Sequence, residues 1–484
     1  MNVKAISRNV GYALLVSALF MLFSVLNSLA NGSDSALAAL SISFVITFTV
    51  GIFPFIFVRK TSAITLKDGY MIILLSWLLS FVFGMLPYAL WGGPFTLANA
   101  WFESVSGFTT SGATILDDVE ALPRSLLFWR SSTHFIGGLG VVVFLLLIIP
   151  NASPIRMRLT NMELSSLSKD SYNTRTNKTV YIFAYVYLAL VLCAFFAYLL
   201  AGMPAFDAVN HAFSVCATGG FSTRNLSIAA FDSRPVELVT MVFMFLSSIH
   251  FGILYMTVVT RSLRAWKNPV LKFYVASLLL CAALLAVSFK ANGVFGGWGE
   301  SVWHALFAAL SVGSTTGLAS MDTCLWPEIS FVLVMSCAVM CGCAGSTSGG
   351  LKVDRALVFL KSVVRRVGGI LHPSAVSEIR LGRSVLRDED VYPHILYIGL
   401  YFLLIFVSVV LCMALGLNSE NAFAGSIVSV GNVGPAIGEL GSFGSYSSIP
   451  SSVKFVFTMD MFLGRVEIYP VLAVLGMLFG RNNR

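Results

Sequence analysis

Charged residues are scarce in this chain. They make up 11% of its 484 residues, where a soluble domain carries about 25%. With 57% hydrophobic residues and a mean hydropathy of +0.84, the shortage excludes a soluble globular domain and indicates an integral membrane protein. Cysteine pattern is also missing: the eight cysteines lie mostly inside apolar segments, so no disulfide framework is indicated. Cys337, Cys341 and Cys343 cluster in MSCAVMCGCAG, but a metal centre would need further ligands and a solvated exit for protons, and small-residue packing is the simpler reading. No Walker loop or dinucleotide fingerprint follows a strand, so no nucleotide or other cofactor site is expected. No constellation of acid, base, nucleophile and metal is present either, which leaves no catalytic residues to name and argues against an enzyme.

What is present is length in apolar runs. Segments near 9 to 30, 36 to 58, 69 to 91, 124 to 150, 179 to 201, 236 to 260, 268 to 289, 329 to 348, 394 to 417 and 453 to 480 each reach about one bilayer thickness. The first is longer than a signal-peptide core and is followed at once by another, so it reads as a retained helix. Net charge is +8, yet the bases are placed for topology rather than for nucleic acid. Lys4 and Arg8, Arg59 to Lys67, Arg156 to Lys178, Arg261 to Lys272, Lys352 to Arg387, and Arg481 with Arg484 fall in alternate connections. The intervening ones are acidic or neutral, with Asp34, Asp117, Asp118, Glu120, Asp207 and Glu439 among their acids. By the positive-inside bias, ten crossings put both termini and the basic loops in the cytoplasm.

Four shorter apolar stretches end in small hydroxylated residues around a glycine: WFESVSGFTTSGAT, VNHAFSVCATGGFST, WHALFAALSVGSTTGLAS and NAFAGSIVSVGNVGPAIG. A helix of about ten to thirteen residues spans only half of a ~30 Å hydrocarbon core, so each predicts a re-entrant hairpin opening from the outer side. Irregular backbone at that depth survives only where protein buries it or cavity water solvates it. Gly112, Gly219, Gly317 and Gly434 recur at about hundred-residue intervals. The expected fold is therefore an all-α polytopic membrane protein: two N-terminal helices in 1–67, then four helix, re-entrant helix, loop, helix repeats in 68–152, 153–264, 265–390 and 391–484, in pseudo-fourfold symmetry around one ion pore. Glycine lets successive carbonyls aim into a lumen, flanking hydroxyls add oxygens, and the negative ends of the short helices point at the axis. Rings of loop carbonyls of this kind replace the hydration shell of K⁺. A single such loop reads more simply as ordinary Gly and Thr packing in membrane helices; four at the same place in a repeat point to a filter.

The loops and their spacing resemble the Trk/Ktr/HKT superfamily of potassium transporters over essentially the whole chain, and the two extra N-terminal helices resemble its Trk branch. In that superfamily each loop keeps one filter glycine, and serine at the first is associated with Na⁺ permeation; all four positions are glycine here. The resemblance implies K⁺ preference, with Rb⁺ as a congener. It implies that the carbonyls of Thr110, Ser111, Gly112 and Ala113, of Ala217, Thr218, Gly219 and Gly220, of Thr315, Thr316, Gly317 and Leu318, and of Asn432, Val433, Gly434 and Pro435 line the path.

Two further features carry alternatives. The run GCAGSTSGG, with Gly342, Gly345, Ser346, Thr347, Ser348, Gly349 and Gly350, breaks the third inner helix, since glycine costs ~1 kcal/mol against alanine. It is either a close-packing kink or an unwound loop under the filter. Arg465 stands in a membrane span with Asp460 and Glu467 near in sequence but not squarely on its helical face, and an arginine there faces a partner or a wet cavity; it is either half of a structural ion pair with another helix or a positive charge lining the pore. The resemblance implies the second reading in both cases, a gate made of loop and arginine. Glu103 is either a source of negative potential or a group satisfied by backbone amides, and the histidines read as hydrogen-bonded packing. The resemblance further implies a homodimer in the bacterial inner membrane and a cytosolic ring of Rossmann-type nucleotide-sensing subunits; the basic segment from Lys352 to Arg387 is a topological signal or their dock. Uptake of K⁺ through a gated filter is the expected function. The alternatives are H⁺- or Na⁺-coupled K⁺ symport, or a broken-helix transporter of an organic solute.

Overall fold

A computed structural model describes residues 2–58, 64–148, 176–372, 378–381, 384–436 and 438–479. The basic residues Arg59 and Lys60, Arg156 to Arg175, and Arg481 with Arg484 lie outside the described residues. Two antiparallel neighbours open the chain, α1 (Val3–Ala30) and α2 (Leu37–Phe57). They pack closely because Gly11 and Gly51 let their backbones approach; a methyl on Gly11 would stand 2.7 Å from the Gly51 carbonyl.

Four similar groups follow. The first has α3 (Leu66–Gly84), α4 (Leu86–Trp91), the short α5 (Leu97–Phe108) and α6 (Arg124–Ile148). The second has α7 (Thr176–Leu200), the short α8 (Ala205–Ala217), and α9 (Arg234–Ser248) with α10 (Phe251–Thr260). The third has α11 (Pro269–Ala291), the short α12 (Trp298–Gly313), α13 (Glu328–Met340) and α14 (Val353–Leu371). The fourth has α15 (Asp388–Ala414), the short α16 (Ser419–Gly431), and α17 (Ser451–Val466) with α18 (Ile468–Phe479). Between α14 and α15 a two-stranded antiparallel hairpin pairs Ile379 with Leu386, a small departure from an all-helical chain.

Packing closes these groups into a ring. Helix α6 lies against α5 and α8, α9 against α8 and α12, α13 against α12 and α16, and α17 against α16 and back against α5. Each inner helix thus bridges its own short helix to the next one. Among the described residues six helices are long and apolar enough to cross a membrane, and α9 with α10 would make a seventh across a 99° bend. The ten expected crossings differ from this count because the inner helices are interrupted. The sequence reading broke only the third, at its glycine run. The structure also breaks the first at Gly140 (φ 64°), the second between Ser248 and Phe251, and the fourth at Glu467 (φ 65°).

Glycines just before two of these breaks explain the tight ring. A methyl on Gly137 would stand 1.9 Å from the Phe108 carbonyl at the end of α5, and one on Gly464 2.1 Å from the Val430 carbonyl in α16. Both breaks come three residues later, at Gly140 and Glu467. Overpacking against backbone costs about 1–3 kcal/mol, so Gly137→Ala and Gly464→Ala are expected to lower the melting temperature of the purified protein in detergent; an unchanged melt would show that the helices do not approach this closely.

Candidate functional site

All four short helices end in the same way. A left-handed residue closes each one, following the C-cap in α5 and α12 as Thr110 (φ 55°) and Thr315 (φ 62°) and forming the C-cap in α8 and α16 as Thr218 (φ 55°) and Asn432 (φ 53°). The next amide then reaches back five residues, Ser111 to Ser106, Gly219 to Ser214, Thr316 to Ser311 and Val433 to Val428, each at 2.9 Å. This is the Schellman arrangement, which normally uses glycine at the left-handed position. Threonine there is an outlier for a β-branched residue, and three of the four turns carry it.

One residue further on, a second left-handed position holds Gly112 (φ 82°), Gly220 (φ 88°), Gly317 (φ 72°) and Gly434 (φ 87°). A methyl on Gly112 would meet the Gly219 carbonyl oxygen at 2.1 Å, one on Gly220 the Thr316 oxygen at 2.4 Å, one on Gly317 the Val433 oxygen at 2.3 Å, and one on Gly434 the Ser111 oxygen at 2.1 Å. The chain of contacts returns to its start, so the four turns surround one axis, each glycine against a carbonyl of the next turn. These are the positions where no side chain fits.

The repeating geometry corrects the register of the second loop. Gly220, and not Gly219, matches Gly112, Gly317 and Gly434; Gly219 matches Ser111, Thr316 and Val433. The matching window is 218–221, which takes in Phe221 and leaves Ala217 as the last residue of α8. Gly219 is glycine for another reason, since the His134 ring lies where its Cβ would be, with the nearest ring atom at 2.3 Å. The expectation for Ala113 and Leu318 also narrows. Their carbonyls accept hydrogen bonds from Ser106 Oγ (2.6 Å) and Ser311 Oγ (2.5 Å) on the short helices behind them. The buried oxygens Thr110 Oγ1, Ser111 Oγ and Asn432 Oδ1, in contrast, make no hydrogen bond among the described residues.

Below the ring, Cys341 to Lys352 is non-helical. It is tied upward rather than hanging free: Thr315 Oγ1 meets Ser348 Oγ at 3.1 Å and accepts from the Gly349 amide at 2.9 Å. Thr347 Oγ1 donates to the carbonyls of Cys216 (3.0 Å) and Ser247 (3.1 Å). Arg465 reaches this segment from α17, with Nη1 donating to the Thr347 carbonyl at 2.7 Å and Nη2 to the Gly137 carbonyl at 2.8 Å. Its acidic sequence neighbours are engaged elsewhere, Glu467 with Arg355 at 2.8 Å and Asp460 with Ser408. A cavity of about 110 Å³ is lined by Gly345 to Gly350, Lys352 and Arg465 among others. Lys352, read from sequence only as part of a basic loop, donates through Nζ to the Ser348 carbonyl.

Glu103 is not satisfied by backbone amides alone. It pairs with Arg130 of α6 at 2.5 Å and accepts from Thr114 Oγ1 and the Ile115 amide. The histidines are hydrogen-bonded: His211 to the Asp207 carbonyl and Ser222, His304 to Ser320, His134 to Ser214, and His250 to the Gly252 amide.

The ring of short helices and turns, closed by interrupted inner helices, defines an all-α polytopic membrane protein. The sequence model of TrkH, described as Cation transport protein, matches residues 37–479. The chain belongs to the TrkH family. It is 32% identical to the Trk system potassium uptake protein TrkH of Halomonas elongata, with both chains covered in full. It is 33% identical to that organism's Trk system potassium uptake protein TrkI, covering 97% of this chain and 95% of the other. The crystal structure of the potassium transporter TrkH from Vibrio parahaemolyticus superposes with a TM-score of 0.89 at 28% identity, covering 99% of this chain and 100% of that one.

On the side of the turns away from Arg465, Ser445 and Ser447 donate to Asp117, tying the segment after the fourth turn to that after the first. These hydroxyls, Ser445 foremost, and the nearby Lys454 charge hold the Asp117 carboxyl below the usual carboxylate range. A depressed carboxylate stabilises the fold above its unfolded pKa, and the effect fades as pH falls through the folded value. Asp117→Asn should therefore melt slightly below wild type at neutral pH, with the gap closing below about pH 4; a gap that persists in acid would disprove the ion-dipole origin.

Proposed function

We propose that this chain takes up K⁺ across the bacterial inner membrane, the four turns acting as its selectivity filter. The observation that carries this reading is the closed sequence of contacts in which each left-handed glycine abuts a carbonyl of the next turn. An ion that has shed water needs several oxygen dipoles at one level, and a ring of four peptide turns supplies them. The filter backbone comprises Thr110 to Gly112, Thr218 to Gly220, Thr315 to Gly317, and Asn432 to Gly434, contributed by repeats at 68–152, 153–264, 265–390 and 391–484. The curated relatives named above, called potassium uptake proteins, support K⁺ as the transported ion, and Rb⁺ follows as its congener. The outer face is acidic and both termini are cytoplasmic, on the charge pattern of the connections.

Gly342 to Gly350 with Arg465 form the gate. The guanidinium sits beside the cavity below the turns and bonds to the loop through the Thr347 carbonyl, so a positive charge and a peptide segment together oppose a cation. Opening requires the segment to release Thr315 and Arg465, a hinge-like change that its glycines permit. A cytosolic Rossmann-type ring sets that equilibrium, and the chain works as a homodimer with one passage per protomer. The membrane potential, ~2.3 kcal/mol per charge per 100 mV, is enough to drive inward accumulation.

Purified protein in liposomes tests the reading. ⁸⁶Rb⁺ influx following the K⁺ gradient alone, blocked by K⁺ and indifferent to organic solutes, is expected; an obligatory H⁺ or Na⁺ gradient would replace it with symport, and inhibition by an organic solute with the broken-helix transporter. Arg465→Ala should raise the flux about tenfold, the effect of a barrier lowered by ~1.4 kcal/mol. Unchanged or lost flux in folded protein would count against the arginine as part of the gate.

A further inference from the structure

Inner helix α6 carries a second arginine, and it lies on the outer side of the turns rather than below them. Arg130 is 2% exposed and Glu103 is fully buried, and they meet at 2.5 Å between Nε and Oε1. Among the described residues, the side-chain hydrogen bonds of this pair lead to the first or the second turn. Glu103 accepts from Thr114 Oγ1 at 3.0 Å and from the Ile115 amide at 3.1 Å, holding the outgoing limb of the first loop. Arg130 Nη1 donates to the Ser222 carbonyl at 3.1 Å, just past Gly220 and Phe221. Its guanidinium lies 3.7 Å over the Phe221 ring. One turn away on the same helix, the His134 ring stacks on the other partner of that contact, with centroids 4.1 Å apart and planes within 15°.

The remaining turns are backed differently. His304 meets Ser320 at 3.0 Å behind the third, and Asn421 donates to Glu439 at 2.9 Å beside the fourth. No other ion pair among the described residues joins two of the four outgoing limbs with both partners buried. A buried ion pair gives little net stability over a well-packed apolar pair. What it does give is direction: a guanidinium has a rigid fork of donors, here aimed at a carboxylate on one loop and a carbonyl on the other.

We propose that Arg130 and Glu103 are positioning residues that set the first and second turns at a common height, and thereby fix the preference of the ring for K⁺ over Na⁺. The inference rests on the reading of the ring as a K⁺ filter. Neither side chain touches the ion. Moving one carbonyl level relative to its neighbour changes how many oxygens an ion meets at once, and a smaller ion tolerates a looser, less complete set. Loss of the clamp therefore changes discrimination before it changes throughput.

The test uses full-length protein in liposomes, with ⁸⁶Rb⁺ influx competed by K⁺ and by Na⁺. Arg130→Lys keeps the charge but loses the fork. It is expected to fold and to lower the K⁺ over Na⁺ preference by about tenfold, the scale of one charge-assisted hydrogen bond. The double variant Glu103→Gln with Arg130→Gln leaves no unpaired charge and should show the same loss if the single variant does not fold. Phe221→Leu removes the ring under the guanidinium and should give a smaller loss in the same direction. A purely structural role would reduce K⁺ and Na⁺ flux together and leave their ratio unchanged, and a wild-type ratio in any folded variant of Arg130 overturns the proposal. If wild type itself fails to discriminate K⁺ from Na⁺, the filter reading falls first, which separates the two failures.

Discussion

A peptide group at the depth of a membrane has to find its hydrogen bonds inside the protein or in trapped water, and this constraint shapes the ring. The four short helices stop half way, leaving carbonyls without helical partners. A left-handed residue at or just after each C-cap folds the chain back, so that the next amide returns to the helix at 2.9 Å in all four repeats. The carbonyls of Ser111, Gly219, Thr316 and Val433 that follow each lie against the glycine of a neighbouring turn. Where neighbours come too close for a side chain, the sequence has glycine, and the contact of each glycine with the next turn turns four separate loops into one closed structure. Local geometry and pseudo-fourfold assembly have the same cause.

The same constraint links the ring to the inner helices. Gly137 and Gly464 let α6 and α17 pack directly on the ends of two short helices, and both inner helices depart from helical backbone three residues later. The interruption leaves carbonyls such as that of Gly137 available, and Arg465 takes it together with the Thr347 carbonyl. A charged side chain in this position is costly unless partnered. The break in one helix thus provides the partner that allows an arginine on another, and the proposed gate grows out of the packing of the proposed filter.

Much of this was legible from the chain itself. Apolar segments too short to cross, each ending in glycine and hydroxyl residues, located all four turns, and the glycine run located the interruption after α13. The register of the second turn was not legible, because ATGGF offers two adjacent glycines and only backbone dihedrals tell them apart: Gly220 is left-handed, while Gly219 yields space to His134. Interruptions at Gly140 and Glu467 fall next to glycines, in GGLG and in LGRVEIYP, but apolar periodicity runs on across both, so the glycines there signal helix packing as readily as a break. Arg130 could have been noticed, since it stands in an apolar span as Arg465 does. Its role was hidden by distance, because the partner Glu103 is 27 residues away on another helix and the Ser222 carbonyl 92 away.

Threonine at three of the four left-handed positions is the remaining feature that needs a cause. A β-branched residue held there costs about 1–3 kcal/mol, and glycine would form the same turn without strain. The side chains must therefore do something glycine does not. Thr315 Oγ1 gives the clearest answer, joining Ser348 and the Gly349 amide and so coupling a turn of the ring to the segment beneath it. Thr218 uses its hydroxyl on the Ala217 carbonyl at the end of its own helix. Thr110 Oγ1 has no partner among the described residues and, with Ser111 Oγ and Asn432 Oδ1, leaves buried oxygens unspent at the same level. Buried oxygens of this kind are destabilising unless water or an ion meets them. At Thr110 a strained backbone coincides with an oxygen that no described residue satisfies, and this fits the passage for a partly dehydrated cation proposed above.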